Sequence, residues 1–498
     1  MEFISAQTNR FLPKNEFKKL IQTSFSSPPL PLKEIQLQKL WFESWFKNPL
    51  LTTEGIPLTI IQTGFWNHSA GPDFTHAAYR DSAGKIQTGA VEIHLEASDW
   101  KNHGHHLDER YDSVILHLVW KSSSEPTISR SGAVIPQVEL SRFLTVEIED
   151  LNSLFPELPS PSLPLAKPGL CHQSFLKTAE ENRWKLIEEV GWLRLLRKSK
   201  RLALRQKSVG STQSLWEALA EGCGYGRNLL PFRALAQRVR AADLIGYSAT
   251  TRKAILLGVS GFLPQEIHLE KSNSSEKQHE AQSIWEQWWR AQSLWSHSTL
   301  PFHAWTLHGV RPWNRPERRI ASLARLLPRL RSLKEALQKG VRLHFQRDLA
   351  HLHDPFWQSH STWNSMPQKP SPLLGVERIR DLEINLYWVW QILEKGSSTQ
   401  SQLLTHRMTP NHKTKLAWAR IGGTAEIPPE KQTVLFQQGL IALLQDFCFK
   451  DLSNCSQCSF PDWISQQSLQ EKPLSSTLRF EDYRAEIKSK IKDLEKEL

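Results

Sequence analysis

The chain has 498 residues, 39% of them hydrophobic and 23% charged, with a formal net charge of +11. That length exceeds what one core usually serves, so two or three domains are expected, and the composition excludes a wholly disordered chain. No apolar run is long enough to cross a bilayer, Met1-Glu2-Phe3-Ile4-Ser5 does not open a secretion signal, and five cysteines are too few for a disulfide framework. A cytoplasmic protein with reduced thiols and no membrane partner is therefore expected, with a charge that favours polyanions such as nucleic acid.

In chain order, residues 1–30 read as a peripheral lead-in. Leu37, Leu40, Trp41 and Trp45 recur at helical spacing and predict a helix over Ile35 to Phe46. Ile56 to Thr63 reads as a strand. Phe74 to Tyr79, a turn at Asp81-Ser82-Ala83-Gly84-Lys85 and Ile86 to Leu95 predict a hairpin. Val114 to Trp120 is a buried strand, and Val134 to Leu140 and Leu144 to Ile148 are two more. Five prolines between Leu154 and Pro168 rule out a helix or central strand and mark a linker. Beyond it, Ala179–Arg205, Leu215–Ala220, Phe232–Arg240, Ala281–Trp295, Arg318–Leu337, Ile379–Leu393 and Val434–Asp446 show helical spacing. Ser272–Lys277 and Glu394–Ser401 read as polar loops, and Lys488–Leu498 as a charged tail. The expected class is α+β, with a mixed α/β domain (31–153), a linker (154–170), a mostly helical domain (171–465) and a tail (466–498).

The chemistry concentrates around the hairpin. Asp73 follows Pro72 at a strand entry, and Glu92 and His94 alternate on one strand and share a face. Two carboxylates on neighbouring strands suit a shared Mg²⁺ or Mn²⁺, and a neutral imidazole either ligates a metal or takes a proton from water. Next come Asp99-Trp100-Lys101-Asn102-His103-Gly104-His105-His106, then Tyr111 and His117. Surface and capping histidines around a turn are the bland alternative for any single member. As a cluster beside Asp73 and Glu92, they suit a metal or phosphate role.

Asn67, Gly71-Pro72-Asp73-Phe74, Val91-Glu92-Ile93-His94, Ser98-Asp99-Trp100, His103-Gly104-His105, Tyr111 and Val114-Ile115-Leu116-His117 together resemble the uncharacterised bacterial domain-of-unknown-function family 2851. Gly224-Tyr225-Gly226-Arg227-Asn228, Gly309-Val310-Arg311-Pro312 and the late cysteines extend that resemblance, which implies no activity. The N-terminal region is also similar to the PD-(D/E)XK nucleases. That resemblance implies acids at Asp73 and Glu92 holding the metal and a lysine at the position His94 occupies. It further implies an acid on an earlier helix, for which Glu43 is the candidate. Asn67, His103, His105, Tyr111 and His117 would support the metal or bind phosphate.

Cys448-x6-Cys455-x2-Cys458 is a compact thiolate group, and Cys171 could supply a fourth ligand for zinc or an iron–sulfur cluster. Three ordinary cysteines near a chain end are the alternative. Cys223 reads as structural. The basic face of the helix holding Arg194, Arg197, Lys198, Lys200, Arg201, Arg205 and Lys207 reads as mostly solvated. Gly309 to Pro316 is a stiffened loop, and Arg311, Arg315, Arg318 and Arg319 are candidates for nucleic-acid contact, with a structural role the alternative. Trp285, Trp288 and Trp289 share a helical face. The expected function is divalent-metal-dependent cleavage of DNA or RNA. The alternatives are a nucleic-acid-binding protein that kept the fold without cleavage, and a metal hydrolase acting on a small substrate.

Overall fold

The apolar repeat around Trp41 folds as α1 (Glu34–Phe42), which stops short of the expected Phe46. Ser44 takes a φ of +55° and breaks the helix, and Trp45 turns back so that its amide meets the Leu40 carbonyl at 3.0 Å. The computed structural model describes residues 32–67, 70–146, 168–224, 228–264, 275–423, 426–449, 455–456 and 458–467. The expected lead-in, nearly all of the proline-rich linker, the start of the loop at Ser272 and the tail beyond 467 lie outside the described residues.

The strands are β1 (Leu50–Leu51), β2 (Pro57–Gln62), β3 (Phe65–Trp66), β4 (Phe74–Arg80), β5 (Ile86–Glu96), β6 (Val114–Lys121), β7 (Thr127–Ile128), β8 (Val134–Ile135) and β9 (Gln137–Glu139). The main sheet runs β1-β2-β4-β5-β6-β9, with β3 on β4, while β7 and β8 form a separate ribbon. The β4–β5 hairpin closes as its turn chemistry dictates: the Asp81 carboxylate accepts the amides of Ala83 and Lys85, and Gly84 takes the left-handed conformation. β5 and β6 are parallel, and the connection between them carries α2 (Asp99–Asn102) and two short 3₁₀ turns. Val91, Ile93, Leu116, Leu118 and Val138 bury one face of the sheet against Leu37 and Trp41 of α1. The alternation of β5 then sends Glu92 and His94 to the opposite face.

Pro136 splits the strand expected over Val134–Leu140 into β8 and β9, since it has no N–H for a ladder. In the described part of Leu144–Ile148 only a single bridge, Phe46 to Leu144, forms. Pro328 likewise divides the expected Arg318–Leu337 helix into Pro316–Leu326, a 3₁₀ turn and Leu330–Lys339. Glu394–Ser401, read as a loop, is taken up by a helix end and short helical turns.

The molecule is α+β, with the strands gathered between residues 50 and 139 and helices beyond. It parts into two compact units that differ from a simple division at the linker. One holds residues 32–146 and 204–387, the other residues 168–203 and 388–467. Long-range polar contacts explain the first grouping. Arg233 pairs with Glu43 at 2.7 Å, Arg205 donates to the Ser44 carbonyl at 3.0 Å, and Arg238 donates to the Gly64 carbonyl at 3.1 Å. In the second unit, Phe175, Ile187, Trp418, Phe436 and Leu440 share one core.

Arg318 and Arg319 correct an expectation. They are only 1% and 4% exposed, so they do not reach a nucleic acid. Arg318 donates to the carbonyls of Trp357, Ser371, Pro372 and Leu373, and Arg319 donates to that of Leu373. They tie the 371–373 segment to the helix Pro316–Leu326. Of the four arginines proposed for phosphate contact, Arg311 is exposed and Arg315 partly so.

Candidate metal centre

β4 carries a bulge directly after Asp73-Phe74: the register slips between Phe74 and Ala77, and His76 sits at φ +55°. Bulges bend a strand and re-aim what precedes them. Here Asp73 lies across from Glu92, and the two are joined through the backbone. The Asp73 amide donates to Glu92 Oε2 at 2.9 Å, and the Ile93 amide donates to Asp73 Oδ2 at 3.0 Å. Gln38 of α1 donates to Asp73 Oδ1 at 2.7 Å and also contacts Glu34. Asn67 supports the turn, its Nδ2 donating to the Pro72 carbonyl and its amide to the Asp73 carbonyl.

The other oxygen of Glu92 faces imidazoles. Glu92 Oε1 lies 3.5 Å from His94 Nε2 and 3.3 Å from His105 Nε2. Donors held at about 2.0–2.2 Å around one ion stand about 3–3.5 Å apart, so Glu92 Oε1 lies from each of the two imidazole nitrogens at the spacing of neighbours in one coordination shell. His94, His103 and His105 place ligand nitrogens within 4.8 Å of one another. Gly104, at φ +75°, lets the chain reverse so that the flanking His103 and His105 both turn towards His94. His105 stacks on Tyr111 with ring centroids 3.8 Å apart, and Trp100 packs edge-on against both. His103 is the exposed member, so the cluster opens to solvent on its side.

Behind the first nitrogens lies a relay. The parallel register sets His117 opposite Glu92. His117 Nε2 lies 2.9 Å from His94 Nδ1, His117 Nδ1 lies 2.8 Å from Thr127 Oγ1, and Gln137 donates to that same hydroxyl. Such outer partners fix the tautomer and ring orientation of a ligating histidine. His117→Ala is therefore expected to weaken metal affinity about 10–100-fold while leaving the far-ultraviolet circular dichroism unchanged, as checked by titration calorimetry.

The electrostatics suit a cation. Burial, then Glu34, pushes the Asp73 carboxyl up to about 7, and burial, then Asp73, pushes Glu92 up to about 9. Burial and the neighbouring histidines hold His94 down to about 2, and burial with His103 nearby holds His105 at about 4. His117, also buried, is held at about 3. The imidazoles are therefore neutral, the state that ligates metals, and the acids are held against their ionised form until a positive charge arrives.

Of the expected metal set, Glu92 and His94 come together with His105 and His103. Asp73 meets Glu92 through the Asp73 and Ile93 amides. The expected helix acid, Glu43, is instead tied to Arg233 and Trp45. Glu34, one helical turn before Gln38, is the acid from α1 that acts on Asp73 and Glu92. Its i, i+4 spacing to Gln38 was visible in the sequence, but nothing local said which face of α1 meets Asp73.

A family model described as "Protein of unknown function (DUF2851)" matches residues 34–412. The chain belongs to that family. No curated protein and no solved structure matches it. The family match spans the whole histidine–carboxylate centre and Cys171, and it ends before Cys448, Cys455 and Cys458.

Proposed function

We propose that this DUF2851 protein is a divalent-metal-dependent hydrolase that cuts phosphodiester bonds in DNA or RNA. The observation that carries the reading is the meeting of Glu92 Oε1, His94 Nε2 and His105 Nε2 in one triangle, with His103 on its open side. Two imidazoles and a carboxylate fit Mn²⁺, Zn²⁺ or a similar ion better than Mg²⁺, which prefers oxygen. A divalent ion held there would supply Lewis-acid polarisation of a phosphoryl oxygen and would lower the pKa of water towards neutrality.

The chain's own residues supply the remainder. Glu92, His94 and His105 would hold the ion. Asp73 and the Ile93 amide fix Glu92, and His117 with Thr127 fixes His94. His103, exposed at the mouth, is the group placed to exchange a proton with the attacking water or the leaving oxygen. His94 stands where the PD-(D/E)XK pattern has lysine, and its Nδ1 is taken by His117, so it serves as a ligand rather than as a cation. The net charge of +11 favours a polyanionic substrate, and Arg311 is an exposed candidate for backbone phosphate.

The test is cleavage of labelled single- and double-stranded DNA and RNA with Mn²⁺, Mg²⁺ or Zn²⁺ against a chelator control. Metal-dependent cleavage, with binding that weakens as salt rises, is the expected result. Salt-dependent binding without cleavage under any metal would favour a non-catalytic nucleic-acid-binding protein. Absence of binding to long nucleic acid, together with hydrolysis of small phosphoesters, would favour a small-substrate metal hydrolase.

A further inference from the structure

The two imidazoles that meet Glu92 are held in different ways. His94 is tied at both ring nitrogens, with Nε2 3.5 Å from Glu92 Oε1 and Nδ1 2.9 Å from His117 Nε2. His105 meets Glu92 Oε1 through Nε2 at 3.3 Å, and among the described residues no hydrogen-bond partner meets its Nδ1. A ligating histidine normally has its second nitrogen fixed by an acceptor, which sets the plane of the ring as well as its tautomer. For His105 the faces of the ring are held instead. Tyr111 lies against it with centroids 3.8 Å apart and planes at 25°, and His94 lies near-parallel to it at 5.2 Å and 18°.

Tyr111 is itself firmly placed. It is buried at the end of the 3₁₀ turn Glu109–Tyr111, which Asp108 caps by accepting the Arg110 amide. The next residue, Asp112, pairs with Arg130 at 3.0 Å. Trp100 stands edge-on to Tyr111 at 5.9 Å and 88°, and it donates its indole N–H to the Ile128 carbonyl at 2.9 Å. Ile128 lies in β7 and Arg130 in the turn that leads to β8, and β7 also carries Thr127, whose hydroxyl stands behind His117. One small ribbon therefore braces both imidazoles, His94 through Thr127 and His117, and His105 through Trp100 and Tyr111. Offset stacking and edge-to-face contact are the arrangements that aromatic quadrupoles favour. Burial, then the charge of Glu92, pushes the Tyr111 hydroxyl up to about 12, and His105 is held at about 4, so two neutral rings face each other at neutral pH.

We propose that Tyr111 is a positioning residue of the metal centre: its ring face, backed by Trp100, sets the plane of His105 in place of a hydrogen bond and keeps Nε2 turned towards the place where Glu92 and His94 meet. The proposal rests on the reading of His105 as a metal ligand. It assigns the role to the face of the ring and not to the hydroxyl, so a phenylalanine serves equally well and an aliphatic side chain of similar bulk does not.

Cobalt(II) added to the full chain in its metal-free form tests this, because the visible bands of cobalt follow the number and arrangement of its ligands. His105→Ala should lose at least about tenfold in cobalt affinity, and Tyr111→Leu should lose about tenfold and shift the bands, as loss of an outer partner of a ligating histidine does. Tyr111→Phe should match the unaltered protein in both. In a His105→Ala background Tyr111→Leu should add nothing, because the two act through one ring. Circular dichroism of the metal-free variants checks the fold. Where Tyr111→Leu does not fold, nuclear magnetic resonance of the unaltered protein with isotope-labelled histidine still decides. The His105 ring protons, assigned by their loss in His105→Ala, should lie upfield under the ring current of the tyrosine and stay there in Tyr111→Phe. Undiminished cobalt affinity in Tyr111→Leu, an equal loss in Tyr111→Phe, or His105 protons at ordinary positions would each overturn the proposal. Undiminished affinity in His105→Ala would remove His105 from the metal shell, and with it the reading on which the proposal rests. None of these readouts involves cleavage, so they stand or fall separately from phosphodiester hydrolysis.

Discussion

Glu92→Gln is expected to lower metal-dependent cleavage by at least about 10²-fold in kcat, and to remove high-affinity binding of Mn²⁺ or Zn²⁺. The glutamine keeps the shape, and it still accepts the Asp73 amide through its carbonyl oxygen. It offers no charge to an ion flanked by His94 and His105. Because burial and Asp73 hold Glu92 up to about 9, the metal-free protein at neutral pH already carries a protonated acid there. The amide is therefore a close stand-in for the resting state, and the melting temperature of the metal-free protein should be almost unchanged. This separates loss of chemistry from loss of fold. Asp73→Asn should cost less, since Asp73 orients Glu92 through its own amide and through Ile93. Affinity for nucleic acid, measured in a chelator, should survive in both variants, because phosphate contacts elsewhere are untouched. Full cleavage by Glu92→Gln would show that the reaction runs at another place.

The second large effect expected is a stability that depends on pH in one way without metal and in another with it. Asp73 and Glu92 have folded values raised to about 7 and about 9, above their ordinary values of 3.8 and 4.5. Groups raised in this way contribute full stability below their unfolded values, and that stability is lost as pH climbs through the folded ones. The metal-free protein should therefore weaken from about pH 4 upwards through 7 and 9. His94, His105 and His117 have folded values lowered to about 2, 4 and 3. Their contribution is complete above the ordinary histidine value of about 6.5 and is lost as pH falls from there. The metal-free melting temperature should thus pass through a broad maximum between the two limbs. A bound ion replaces the protons on the acids, so binding should release protons and tighten as pH rises. At about one hundred times its dissociation constant, Zn²⁺ or Mn²⁺ should add about 2.7 kcal/mol, or about 4 °C for a unit of this size, near neutral pH, and less in acid. Differential scanning calorimetry across pH, with and without chelator, reads both limbs. A metal-induced shift that grows towards acid pH would contradict the assignment of Glu92 and the neutral imidazoles as ligands.

Much of this centre was legible in the residues because it rests on short-range rules. The alternation of β5 put Glu92 and His94 on one face, and Asp81 with Gly84 specified the turn that pairs β4 with β5. The helices of the C-terminal two thirds followed from their apolar spacing. The break at Pro328, and the end of α1 before Ser44, came from local backbone effects that an apolar pattern does not weigh.

What the sequence alone determined, then, is the α+β class, the hairpin with its acid–histidine strand, and membership of the DUF2851 family. The hairpin and its acid–histidine strand depend on residues within about one element's length of each other. Only the tertiary structure decided the partners that arrive from afar. The parallel register of β5 and β6 put His117 behind His94. The reversal at Gly104 swung His105 onto Glu92 and His103 onto His94. α1 supplied Gln38 and Glu34 rather than Glu43, because packing of Leu37 and Trp41 fixed which of its sides faces Asp73. Burial turned Arg318 and Arg319 inward to backbone carbonyls, although their charge pattern also fitted a phosphate clamp. Cys171 met Cys448 and Cys458 because a shared core brought the two ends of one unit together. Register, helix rotation and burial are set by the sum of many weak contacts across the chain, and no local window of residues contains that sum.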